Sequence, residues 1–103
     1  MENKIDCFIE MAYSSLNNVF LFAKFVSDSE FFAVQNPQIF KNLSLVDEYT
    51  TLWGELEIVN ALALCQWEED GRAKEWGKHW TENYKEQATE AVHELINFMK
   101  KIC

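Results

Sequence analysis

Few residues in this 103-residue chain stand at spacings that suit chemistry. Glu90-Ala91-Val92-His93 has the Glu-x-x-His spacing that sets a carboxylate and an imidazole on one helical face. Carboxylate-bridged di-iron bundles use that pair, but they need two such pairs and two further glutamates. Here the one other histidine, His79, has Glu75 four residues before it. A short motif standing alone is usually chance, so His93 reads as a partly exposed helix residue and no metal or cofactor is expected. Cys7, Cys65 and Cys103 are odd in number and lack ligand-like spacing. They read as free thiols of a reducing compartment, Cys65 as a small buried hydrophobe. No Gly-rich phosphate loop, GxSxG elbow or Cys–His arrangement is visible, and none of the 17 acidic residues forms a pair set apart from the rest. Without a nucleophile, base or phosphate site the chain is expected not to be an enzyme.

What the chain does concentrate is negative charge. Its formal net charge is -8. Between residues 28 and 71 nine carboxylates, among them Asp47, Glu48, Glu55, Glu57, Glu68, Glu69 and Asp70, stand against the single Lys41. Three of them, Glu68-Glu69-Asp70, precede Gly71 at the expected end of a helix, the end where the macrodipole disfavours anions. Trp67, Trp76 and Trp80 bracket this acidic turn. Tryptophan at helical spacing is most often core, while tryptophan beside charge is what protein interfaces favour.

The elements that must position these residues are helices. Ile5, Ile9, Ala12, Leu16, Val19, Ala23 and Val26 recur in steps of three and four, predicting a first long helix from about Asn3 to Val26 with Asn17 and Asn18 on its wet side. A short helix over 30–35, stopped by Asn36-Pro37, and a second short turn through Asn42 follow. The central helix runs from Ser44, as cap, to Glu68. It is apolar nearly all round from Leu56 to Trp67, which places it inside, covered on several sides. Leu56, Val59, Leu62 and Ala63 are its expected core, and Leu62→Ala is expected to cost about 2–5 kcal/mol. Gly54 would admit a close helix or leave a smooth patch. A last helix from Arg72 to Ile102 would measure about 45 Å, so it should overhang its neighbours or kink at Gly77. The fold class is all-α: one domain, residues 1–103, a compact helical bundle of three long helices plus a short helical pair between the first and second long ones.

These features exclude some functions and favour others. The sign of the charge argues against nucleic acid and anionic membrane as partners, and the first eleven residues lack the basic and apolar pattern of a signal peptide. A cytoplasmic protein is expected. The favoured reading is a small acidic protein that binds and neutralises a basic protein partner, first a toxin nuclease, as immunity proteins and antitoxins do. Its expected partner-binding residues are Asp47, Glu48, Glu55, Glu57, Trp67, Glu68, Glu69, Asp70 and Trp76. The alternative is an assembly or adaptor module that forms a homodimer through the last helix.

Overall fold

The computed structural model describes residues 4–102. Five α-helices account for most of them, α1 Lys4–Ser14, α2 Val19–Gln35, α3 Leu43–Glu69, α4 Gly77–Asn83 and α5 Lys85–Ile102, with 3-10 turns at Ser15–Asn17 and Pro37–Ile39. No strand occurs among the described residues, so the all-α class stands, and no helix is long and apolar enough to cross a membrane. The segmentation differs from the expected three long helices and short pair.

The first long helix is broken in its middle by side chains that compete for the backbone. Ser15 Oγ donates to the Ala12 carbonyl and Asn17 Nδ2 to that of Ser14. Asn18 is extended (φ −161°, ψ 168°) and its Oδ1 accepts from Leu21 N, the N-cap of a new helix. α2 then runs through 30–35 without a stop. A second Asn cap, Asn42 Oδ1 accepting from Leu45 N at 3.0 Å, starts α3 before Ser44. The last helix is divided as well. Gly71 (φ 86°) and Arg72 (φ 58°) take left-handed conformations, with Arg72 N bonded to the Trp67 carbonyl and Gly71 N to that of Glu68, the hydrogen-bond pattern of a Schellman cap. Helical geometry resumes at Gly77 and is interrupted at Tyr84 (φ −129°), while Tyr84 N→Trp80 O and Ala88 N→Tyr84 O carry the ladder across a kink. The expected continuous helix from Arg72, overhanging or kinked at Gly77, is therefore absent: Gly77 begins α4 and the residues before it are not helical.

The centre of the bundle is α5 rather than α3. α5 packs against α1, α3, α4 and the Ser15–Asn17 turn, whereas the main neighbours of α3 are α2 and α5. Seven of the 18 residues of α5 are buried: Ala88, Ala91, Val92, Leu95, Ile96, Phe98 and Met99. Only four of the 27 residues of α3 are buried: Tyr49, Leu56, Val59 and Ala63. The expectation that α3 is covered on several sides fails because its apolar residues serve two faces, one of them open. Leu62 is 54% exposed and Cys65 is exposed, so neither is core. Cys65 is a free thiol and is not bonded to Cys7; Cys103 lies outside the described residues.

Aromatic N–H and O–H groups tie the layers together at backbone carbonyls. Trp80, fully buried, donates from Nε1 to the Leu16 carbonyl in the broken stretch at 3.0 Å. Trp53 Nε1 donates to Val26 O and Tyr49 Oη to Ser29 O. Asn60, the interruption in the apolar stripe of α3, leaves a buried Oδ1 without a partner among the described residues. These placements set a contrast measurable by denaturant melts. Leu56→Ala is expected to cost about 2–5 kcal/mol, the range for a buried leucine cavity, while Leu62→Ala should cost under about 1 kcal/mol. Comparable losses at the two positions would contradict the open side of α3.

Candidate protein-binding face

With α2 on one flank and α5 on the other, α3 presents its remaining side to solvent. The apolar members of the middle of that side are Ile58, 62% exposed, and Leu62, joined by Cys65 and Ala61; Leu43 and Val46 are exposed at the start of the helix. Positions 58, 62 and 65 follow the four-and-three step of one helical face, so they form a stripe about 10 Å long. Exposed carboxylates lie before and after it: Asp47, Glu48, Glu55 and Glu57 toward the N-terminus, Glu68 and Glu69 toward the C-terminus. α3 has no lysine or arginine. Gly54 is half-buried beside the stripe, and a Cβ there would meet nothing within 4 Å. It admits no helix of this chain, and leaves a smooth place on the surface instead.

Electrostatics differ between the two acidic ends. The Glu55 side chain faces that of Glu94 on α5; the hydrogen bond the pair can make when one carboxyl is protonated, with some desolvation and the repulsion between the two carboxylates, raises the Glu55 pKa above its ordinary value. Asp70 is shifted the other way. Its Oδ2 accepts from Trp76 Nε1 at 2.9 Å and its Oδ1 from Gln66 Nε2 at 3.1 Å, and these bonds, aided by His79, lower its pKa. Glu68 stands 3.9 Å from Arg72 in an exposed ion pair, an arrangement worth under about 1 kcal/mol.

The tryptophan end is built mostly inward. Trp76 is only 5% exposed and stacks with His79 at 4.6 Å and Tyr84 at 5.8 Å between ring centroids. Trp67, half-buried, donates to the Ala73 carbonyl and meets the edge of Phe20. The structure thus brings Trp67, Asp70 and Trp76 together as the cap of α3 and separates them in role from the open carboxylates. Glu75 lies before α4, so it shares no helical face with His79. Glu90 and His93 are exposed on α5, and among the described residues no group of three or more His, Cys, Asp or Glu is placed to hold a metal ion. A second apolar area lies at the other end of the molecule, a recess of about 400 Å³ walled by Val34, Phe40, Val46 and Trp53, with Glu30 its one charged lining residue.

Sequence reasoning missed Ile58, Leu62 and Cys65 as surface residues. A stripe facing solvent and a stripe facing the core have the same period, so periodicity alone could not separate them. The absence of any cation on α3 was the available signal.

The Glu55–Glu94 contact has a measurable sign. Because the folded pKa of Glu55 is raised, the protonated form is favoured in the folded protein, and that stabilisation is lost as pH rises through the folded pKa. Glu55→Gln is therefore expected to raise stability at pH 7 by no more than about 0.5 kcal/mol, the size of an exposed like-charge contact. The gain should vanish as pH falls below about 4, where carboxylates protonate. Thermal melts of both proteins across that range check it, and a loss of stability at pH 7 would contradict the contact.

Comparison of the chain with models of known families, with curated proteins and with solved structures finds no match.

Proposed function

We propose that this protein is an acidic helical inhibitor that binds and neutralises a basic protein partner in the cytoplasm, a toxin nuclease first among such partners, in the manner of immunity proteins and antitoxins. It does so without catalysis. One observation carries the reading: α3 lays six exposed carboxylates along one helix with no cation among them. No two of them stand three or four residues apart, so they cost the free protein little; Glu68 pairs with Arg72 beyond the helix, and the carboxylates become favourable contacts when a cationic surface meets them. Nucleases present such a surface because they bind phosphate. Opposite fields also steer the encounter and raise the association rate. The second arrangement raised by the sequence, a homodimer through the last helix, gains no support, since the apolar residues of α5 are already in the core.

The test uses the product of the neighbouring open reading frame, where that frame encodes a toxin with a basic nuclease domain. The wild-type protein should abolish its nuclease activity, with an association rate that falls as salt rises. Reversing Glu48 and Glu55 to lysine should slow association at least tenfold, a change of about 1.4 kcal/mol or more, with a melt no lower than that of the wild type. Equal rates for the two proteins without salt dependence would overturn the reading.

A further inference from the structure

We infer that the stripe Ile58–Leu62–Cys65 on α3 is a docking seam for an amphipathic helix of the partner, one whose apolar residues are bracketed by lysine or arginine at both ends; the inference rests on the inhibitor reading for the partner's charge. The stripe is linear and one helix face wide, the shape that a second helix buries with anchors at three- and four-residue steps. Its members differ in size in a way that suits interdigitation. Ile58 and Leu62 project, while Gly54, Ala61 and Cys65 beside them leave low points where the partner's backbone or side chains can sit. From Glu55 to Glu69 the framed segment spans about 21 Å, so about 15 helical residues of the partner would cover it.

Charge selects the occupant. Carboxylates at both ends of the seam call for cations at both ends of the docked helix, and the match holds for either orientation of that helix. A second copy of this chain is a poor occupant, because it would set six carboxylates against six with no cation on either α3. The recess beside Val34 and Trp53 lacks such a frame, having Glu30 alone. The centre of the seam supplies the desolvated contacts that hold a complex together once charge has steered it in.

The probe is a synthetic helical peptide of about 15 residues, with leucines at i, i+4 and i+7 and two lysines or arginines at each end. A control peptide has glutamine for each leucine. Two variants of the full-length protein accompany the wild type. Leu62→Ser removes a projecting anchor, and Gly54→Gln fills a low point in open space where a side chain meets nothing within 4 Å and helix propensity improves. The probe should bind the wild type at least tenfold more tightly than the control, more weakly at high salt, and at least tenfold more weakly to each variant. Gly54→Gln should melt no lower than the wild type, so that its lost binding cannot come from lost folding. Equal binding of probe and control, wild-type binding by both variants, or a wild-type dimer abolished by Leu62→Ser would each overturn the inference. The two readings can fail separately. Full neutralisation of the nuclease by Leu62→Ser and Gly54→Gln would remove the seam and keep the inhibitor; selective probe binding without any neutralisation would do the reverse.

Discussion

A helix of 27 residues with main neighbours on two flanks cannot hide all of its circumference, and that constraint shapes this protein. α3 is about 40 Å long at 1.5 Å per residue, close to the 43 Å longest dimension of the molecule. The helices that flank it are shorter, 17 residues in α2 and 18 in α5. α1 and α4 sit against α5 instead. One side of α3 is therefore left open along its length, and the residues there decide what the molecule can meet. Carboxylates stand on both sides of a central apolar stripe, Ile58, Leu62 and Cys65.

The core itself is held by two kinds of contact. α5 buries an apolar face with Ala88 and Ala91 admitting close neighbours and Leu95, Ile96, Phe98 and Met99 filling the space. Around it, large aromatic side chains turn their polar atoms to main-chain carbonyls. Trp80 to Leu16, Trp53 to Val26, Tyr49 to Ser29 and Trp67 to Ala73 each join two segments. A buried indole N–H or phenol O–H needs an acceptor; carbonyls at breaks supply it for Trp80 and Trp67, and carbonyls within α2 supply it for Trp53 and Tyr49. Burial keeps the Tyr49 hydroxyl protonated, with its pKa pushed far up. Three of the four tryptophans meet carbonyls and Trp76 meets Asp70, so the indole N–H groups of this chain are structural.

Helical class was legible in the stripes of three and four, and so was the acidic character of the middle of the chain. Helix breaks were less so. Ser14, Ser15, Asn17 and Asn18 look like a polar face when only periodicity is followed, yet three of them bond to nearby backbone and end α1. The stripe through Ala73 and Trp76 likewise continues into the last helix on paper, while two consecutive left-handed residues, Gly71 and Arg72, turn the chain there. The larger error concerned Leu62 and Cys65. Apolar residues all round a helix suggest a central element, but the same composition arises when one stripe serves the core and another serves a surface. Distinguishing the two requires knowing how many neighbours the helix has, which one sequence does not state.

The open side of α3 is the proposed seat of a basic protein. A residue-level footprint tests it most directly: Cys65 alkylation and carboxyl modification, read by mass spectrometry on the protein alone and in complex with the basic partner proposed above. The expected result is a Cys65 that reacts readily in the free protein and is protected in the complex, together with Glu55 and Glu69, while Glu30 and Glu90 are unchanged. Protection at Glu30 or Glu90 with Cys65 still fully reactive would contradict it.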